Sequence, residues 1–429
     1  MSVGSTEAAQ KTSVGTRSAT RKVRVLFIND TARNGGPGRS LFYILKFLDP
    51  DVVHRVVVLP RFGIISELYE SRGVTEELRF EPDLVENPIE PWNRPMSRAD
   101  FEAPVAVRGV RAAANVVRAG RAMARLTMLI RRGKYDLIYC NGTNADFAGG
   151  LLSRTGGVPA LWHVRYTSVP KAVRGLHDRL AASKGIARIV CVSKASAGLF
   201  PHCPEKVRVI HNALDIEEFD VRGITPRLKA ELGLSPDAVV FGSQGRILPR
   251  KGYVEMIQAA RDALEQMTAD EKRRAHFAVL GDTPDDIRPD HLAECRSLVS
   301  QLGLADKFTF LGFKSDVKPY GADFDVAVVP SVYPDPLPRA VIEAMALAKP
   351  VIGFDVGGVG EMLKDGETGT LIPRGDIAGL TREMLRYMRD PELRATQGRA
   401  GRVRVEREFD GARQAKRIQE QIIEAAGLA

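Results

Sequence analysis

A chain of 429 residues, 44% hydrophobic and 27% charged, is long enough for two or three domains that each bury a core. That composition excludes a disordered, fibrous or disulfide-dense chain, and no run approaches the roughly 18 apolar residues of a membrane span. The net charge of +9 is concentrated, because the stretch between Ala103 and Tyr135 holds eight basic residues and no acid, so the rest of the chain is close to neutral.

Residues 1–22 are rich in Ser, Thr, Ala and Gly, lack the apolar centre of a signal peptide, and read as a disordered tail. The apolar run 23–28 predicts a first buried strand. It ends in Asn29-Asp30 and a glycine-rich loop, Asn34-Gly35-Gly36-Pro37-Gly38. A helix follows from Ser40, with Leu41, Ile44, Leu45 and Leu48 at helical spacing. A strand over 52–59, a Pro-rich loop or insertion over 81–104 and a basic helix over 104–132 come next. Strands at 137–140, 160–163 and 188–192 follow, with a helix near 145–154. The pattern restarts after Asn212-Ala213-Leu214-Asp215, giving strands at 239–242, 275–280, 308–311, 326–329 and 351–354 and a charged helical stretch over 392–427. Such alternation predicts an α/β fold of two Rossmann-like domains with parallel sheets. The division is an N-terminal domain over 23–213, a C-terminal domain over 214–400 and a helical segment over 401–429. Cys140, Cys191, Cys203 and Cys295 show no metal-ligand spacing and point to reduced, mostly buried thiols in a cytoplasmic protein.

In an open parallel sheet, ligands bind at the carboxyl ends of the strands. In the second half, Arg246 and Lys251 lie between the end of a strand and the start of a helix, and two cations there suit a diphosphate. A solvated basic turn fits the spacing equally well. Asp335 and Glu343 stand eight residues apart around the next helix start, where free amides favour an anion. Two acids beside an anion site make sense if they bind hydroxyls, as a sugar nucleotide would need; the plainer readings are a turn carboxylate and a surface helix residue. In the first half, Gly35, Gly36 and Gly38 permit close backbone approach to a ligand, or form a plain flexible turn. Arg39 and Ser40 follow them, and Asn141 and Thr143 follow a later strand end. His163 ends another strand, where an isolated histidine is more often structural.

GRILPRKG, followed by the D-x7-E pattern within PSVYPDPLPRAVIEAMALAKPVIGFDVGGVGE, resembles the retaining GT-B glycosyltransferases of the family 4 type. Supporting matches are Val209 to Asp215 at the junction of the halves, Gly281-Asp282, Phe310 to Phe313, the Gly35-Gly36 loop and Trp162-His163. The resemblance implies a GT-B fold, with two facing Rossmann-like domains and a C-terminal helix returning to the first. It implies transfer of a sugar from a nucleotide diphosphate sugar to an acceptor glycan, lipid-linked or small molecule, with retention, with no cofactor and with no metal. By the same resemblance Arg246 and Lys251 bind the donor diphosphate, Glu343 the ribose, and Asp335, in place of the family's first Glu, the donor sugar. His163 lies beside the transferred sugar, the backbone around Phe313 borders the base, and the amides of Leu337, Arg339, Ala340 and Val341 face sugar and phosphate. Asp for Glu and Leu337-Pro338 for Phe-Gly depart from the family's pattern and point to an altered sugar preference. A sugar-nucleotide epimerase of the same fold and a non-catalytic sugar-nucleotide-binding protein are the rival readings.

Arg111, Arg118, Arg125 and Arg132 recur every seven residues along the basic helix, so 104–132 is either a surface for anionic lipid at the inner face of a membrane or a solvated face. Without interleaved aromatics it does not read as a nucleic-acid site. Asp323-Phe324-Asp325 matches a metal motif of another glycosyltransferase fold but falls beside a strand and reads as structural. Asn141-Gly142-Thr143 is a glycosylation sequon by coincidence.

Overall fold

The computed structural model describes residues 21–32, 35–84, 104–283 and 290–428. Most of the expected tail, Asn34 of the glycine-rich loop and most of the 81–104 insertion lie outside the described residues. Seven parallel strands form the first sheet: β1 (Val23–Asn29), β2 (Val53–Leu59), β3 (Glu77–Phe80), β4 (Leu137–Asn141), β5 (Ala160–Val164), β6 (Ile186–Cys191) and β7 (Val207–Val209). Six form the second: β8 (Val239–Gln244), β9 (Ala275–Leu280), β10 (Phe308–Phe310), β11 (Val326–Val329), β12 (Val351–Asp355) and β13 (Gly369–Pro373). Helices cover both faces of each sheet, which is why the central strands are continuous apolar runs, with Val25 to Ile28, Leu137 to Cys140 and Val239 to Phe241 almost wholly buried.

The strand orders, β3-β2-β1-β4-β5-β6-β7 and β10-β9-β8-β11-β12-β13, each reverse once. The reversals fall between β1 and β4 and between β8 and β11, and crevices open at such points beyond the carboxyl ends of the strands. Asn29, Asn141 and Gln244 end their strands there, and the loop from Pro330 to Pro338 leaves β11 there. The longer helices are α1 (Gly36–Phe47), α2 (Ile64–Ser71), α3 (Val105–Gly133), α4 (Thr143–Gly156), α5 (Lys171–Ala181), α6 (Tyr253–Gln266), α7 (His291–Gln301), α8 (Arg339–Ala346), α9 (Ile377–Arg389), α10 (Pro391–Glu408) and α11 (Gly411–Ala425).

The chain crosses between the sheets twice, and the crossings lie side by side. The Leu214 amide donates to the Phe409 carbonyl at 3.2 Å, and the Gly411 amide to the Leu214 carbonyl at 2.9 Å. Beyond the second crossing, α11 lies against α1. The Asp49 amide donates to Gln419 at 2.9 Å and Arg188 pairs with Glu424 at 2.8 Å. The basic face of α3 is partly internal. Arg118 is buried, and Arg118, Arg121 and Arg125 all pair with Glu81 or Asp83 of the same domain, which holds the Asp83 carboxyl down at about 2. No helix among the described residues is long and apolar enough to cross a membrane.

The close approach of α11 to α1 depends on Gly411, where a Cβ would stand 2.5 Å from the Phe47 ring and 2.9 Å from the Leu214 carbonyl. Gly411→Ala should therefore lower the unfolding temperature, costing about 1–3 kcal/mol by overpacking, as thermal unfolding followed by circular dichroism would measure.

Candidate functional site

Between β8 and α6 the chain makes a tight turn, Pro249–Lys251, closed by Gly252 at φ +74°. A Cβ on Gly252 would sit 1.7 Å from the Pro330 carbonyl, so only glycine lets this turn lie on the loop after β11. The Val332 amide then donates to the Arg250 carbonyl at 3.1 Å. This packing brings Lys251 Nζ to 2.5 Å from Asp335 Oδ2, with both side chains about one-fifth exposed (21% and 22%). Gly358 donates its amide to the Asp335 carbonyl at 2.9 Å, which anchors the loop from the other side.

Helix α8 starts after Pro338, and the amides of Leu337, Arg339 and Ala340 have no acceptor among the described residues. Val341 departs from the expectation: its amide donates to the Pro338 carbonyl at 3.1 Å, closing the first helical turn, and is not free for a ligand. Glu343 accepts from Gln244 Nε2 at 2.5 Å and from Arg339 at 2.9 Å, a helical i,i+4 pair in which both side chains are largely buried. Arg339 also donates to the Ala213 carbonyl at 3.2 Å and lies over the Tyr43 ring, so it links this helix to the crossing and to α1. Arg246 is exposed just past the end of β8. Phe313, 54% exposed, follows Gly312 at φ +69°, whose carbonyl accepts from the Gly281 amide beside it.

Opposite lies the first domain's crevice. Gly35 precedes α1 in extended conformation, and Gly36 has open space on the side a Cβ would occupy, whereas Gly38 is packed against Ile65. Asn141 donates to Asn29 at 2.5 Å and to the Pro37 carbonyl at 3.2 Å, holding the glycine loop to the strand ends. Arg165 donates to Asn141 Oδ1 at 2.7 Å and to Asn212 of the crossing. Burial, with the Arg339 charge nearby, brings its guanidinium down to about 10. His163 is only 2% exposed; Nδ1 meets the Tyr139 hydroxyl, and Nε2 has no partner among the described residues. Burial and then Arg165 hold its imidazole well below the usual histidine range, so it is neutral. The structure thus brings Lys251 to Asp335, Glu343 to Arg339, and Arg339 within 3.5 Å of Ser40 across the two domains. Further bridges run from Thr167 to the Pro334 carbonyl, from Ser168 to Tyr333, from Arg39 to the Ser315 carbonyl, and from Glu361 to the amides of Lys194 and Ala195.

Sequence reasoning did not single out Gln244, Arg165, Tyr139 or Asp146. The first two stand beside quoted motifs, Gln244 ending β8 and Arg165 two residues past His163. Asp146, in the first turn of α4, is fully buried, with Oδ2 3.0 Å from the Tyr166 hydroxyl. Tyr166 also meets His177 Nε2 at 3.0 Å, and His177 Nδ1 meets Asp178 at 3.0 Å. Arg174 holds Asp178 ionised, so His177 Nδ1 carries the proton and Nε2 accepts from Tyr166. Burial, reinforced by the Asp30 charge, pushes the Asp146 carboxyl well above its usual range. Protonated Asp146 can then donate to Tyr166.

Asp323 and Asp325 hold backbone amides of Lys229 and Val240, and Phe324 fills the space above Gly242, so this triplet is structural as expected. The sequon's Asn141 is fully buried, as are all four cysteines, none of them disulfide-bonded. Among the described residues, no group of three or more His, Cys, Asp or Glu side chains is placed to hold a metal ion.

Two family models match the two domains. Residues 225–404 match "Glycosyl transferases group 1" and residues 74–218 match "Glycosyltransferase Family 4". The chain belongs to the GT-B glycosyltransferases of the family 4 type, and is a glycosyltransferase. It is 24% identical over 310 residues to the Escherichia coli UDP-Gal:alpha-D-GlcNAc-diphosphoundecaprenol alpha-1,3-galactosyltransferase, covering 68% of this chain and 76% of that one. It is 30% identical over 277 residues to the 2-deoxystreptamine N-acetyl-D-glucosaminyltransferase of Streptomyces fradiae, covering 59% and 63%. In fold it resembles Anabaena Alr3699/HepE, solved in complex with UDP and glucose, with a TM-score of 0.74 at 23% identity over 94% of this chain and all of that one.

A carboxyl that is neutral when folded makes stability fall as pH rises from the unfolded value near about 4 toward the raised folded value. Asp146→Asn should remove that loss. Urea unfolding should find the variant at least as stable as the parent at pH 7, with its relative advantage shrinking toward pH 5, while Asp146→Ala loses about 1–3 kcal/mol because the Tyr166 oxygen no longer has a donor there.

Proposed function

We propose that the protein moves a sugar from a nucleotide diphosphate sugar to an acceptor hydroxyl, with retention at the anomeric carbon and without a metal ion. The observation that carries this reading is the pairing at the carboxyl edge of the second sheet: Lys251 with Asp335, and Arg339 with Glu343 and Gln244, on either side of free helix-start amides. A cation, two acids and open amides within one crevice match a ligand that is anionic at its diphosphate and hydroxylated at both ends.

In this reading the donor diphosphate displaces Asp335 from Lys251. Lys251, Arg246 and the amides of Leu337, Arg339 and Ala340 take the phosphate charge, and Asp335 turns to the hydroxyls of the sugar. Glu343 keeps its Arg339 and Gln244 partners and still has lone pairs for a ribose hydroxyl. Breaking the bond from anomeric carbon to phosphate oxygen places negative charge on the diphosphate, where the cations and amides stabilise it. The acceptor oxygen forms its bond from the same face and passes its proton to the departing phosphate. No protein nucleophile is required, and the two cations provide the positive charge that a metal provides elsewhere. The relatives differ in acceptor, a lipid-diphosphate-linked sugar in one and 2-deoxystreptamine in another, so the acceptor class is left to experiment.

A thermal-shift screen of nucleotide diphosphate sugars should find one donor that raises the unfolding temperature, since a ligand at 100 times its Kd adds about 2.7 kcal/mol. With that donor, nucleoside diphosphate should be released only when acceptor is present, in EDTA as well as without it, and proton NMR should show the product with the donor's anomeric configuration. Lys251→Ala and Glu343→Gln should each lower kcat/KM by about a hundredfold or more while leaving the circular dichroism spectrum unchanged. Near-parental rates in both variants, or interconversion of donor sugars without acceptor, would refute the assignment.

A further inference from the structure

His163 is buried at the end of β5 with one ring nitrogen satisfied and the other not. Nδ1 meets the hydroxyl of Tyr139 on the neighbouring strand, and an Arg165 nitrogen lies 3.4 Å from the same atom. A guanidinium can only donate, so it favours a bare Nδ1, and the Tyr139 hydroxyl, whose one hydrogen-bond partner among the described residues is this nitrogen, then donates to it as well. The neutral ring must carry its proton on Nε2. That N–H is buried and has no acceptor among the described residues, and a buried unpaired donor is costly unless something arrives to accept from it. His163 also lines a cavity of about 10 Å³ with Ser40, Tyr43, His211, Asn212 and Ala213, about the space of one water. The cavity lies at the carboxyl end of β5, walled by α1, the crossing and α11. The opposite tautomer would leave Nδ1–H against Tyr139 and bring two donors, Arg165 and the ring, into conflict.

We propose that Tyr139 is a positioning residue that fixes His163 as a neutral Nε2–H donor, so that the histidine which the family resemblance places beside the transferred sugar can donate to a substrate oxygen, directly or through one water, and cannot remove a proton. The inference rests on the glycosyltransferase reading for the identity of that oxygen, but the tautomer does not. Phe27 packs against Tyr139 with ring centroids 4.8 Å apart and the rings tilted at 41°, which restricts rotation of the phenol. The acceptor's proton is then left to the departing phosphate, in keeping with a histidine that cannot act as a base at Nε2.

Nitrogen-15 NMR of the histidine-labelled, ligand-free protein tests the first half. The His163 resonances should report a protonated Nε2 and an unprotonated Nδ1, and Tyr139→Phe should shift them toward a mixture of tautomers with the fold intact. A protonated Nδ1 in the parent would overturn the proposal whether or not transfer is ever observed. The second half is read from rates with the identified donor. His163→Gln, whose amide can reach the position of Nε2, should keep about tenfold more of kcat/KM than His163→Asn, whose shorter amide mimics Nδ1, a difference the size of one hydrogen bond. Tyr139→Phe should lower kcat/KM with no new ionisation in the pH profile. Equal losses in the Gln and Asn variants, or a pH profile in which an imidazole must be deprotonated for turnover, would overturn the donor role.

Discussion

One guanidinium ties the halves of this molecule together at the place where the chemistry is set. Arg339 stands one helical turn before Glu343 and neutralises it, reaches the Ala213 carbonyl in the first crossing, and lies over Tyr43 on α1. Without it, a carboxylate that is largely buried beside Gln244 would lack a counter-charge, which the interior penalises heavily. With it, the acid of the second domain, the first crossing and the first domain's glycine-loop helix are tied to one another. The spacing from Asp335 to Glu343 matters because the residue between them that bridges the domains sits on the same short helix.

The polar interior of the first domain obeys a related constraint. Its strand ends hold Asn29, Asn141 and His163 almost wholly buried and Arg165 half-buried, each oriented by the next. Asn141 bonds Asn29 and the loop carbonyl of Pro37, and Arg165 joins Asn141 to Asn212. Such a network is rigid when every member is satisfied. The Nε2 of His163, with no partner among the described residues, stands out against those pairings.

Much of the fold was legible in the sequence. Strands buried on both faces must be continuous apolar runs, and β1, β4, β8, β9, β11 and β12 could be placed within a residue or two for that reason. Strands β3, β7 and β13 were not foreseen. They are short outer strands, one reading Glu-Leu-Arg-Phe and another ending in Pro373, so they carry neither a long apolar run nor clean alternation. Lys251, Asp335 and Glu343 could be singled out because the segments that carry them are short and contiguous, whereas Arg339 was named only for its amide and its side-chain bridge was not foreseen. Tyr139, Arg165 and Asp146 were not, because each gains its role from partners on other elements, and a tyrosine inside an apolar strand looks like any other core aromatic. The amide of Val341 failed for a local reason: the Pro338 carbonyl turns to accept it, a choice of backbone geometry that residue types alone do not reveal.

The returning helix has a consequence for how the chain is made. The second domain, from the crossing at Leu214 to the one at Phe409, is an insertion between β7 and α11 of the first. During synthesis from the N-terminus, the first domain emerges early but lacks the helix that covers α1 and lines the cavity beside His163. Its apolar α1 face must wait, uncovered, while about 200 further residues are added at about 5–20 per second. The first domain to be translated is therefore completed only after the second, when α11 docks on α1.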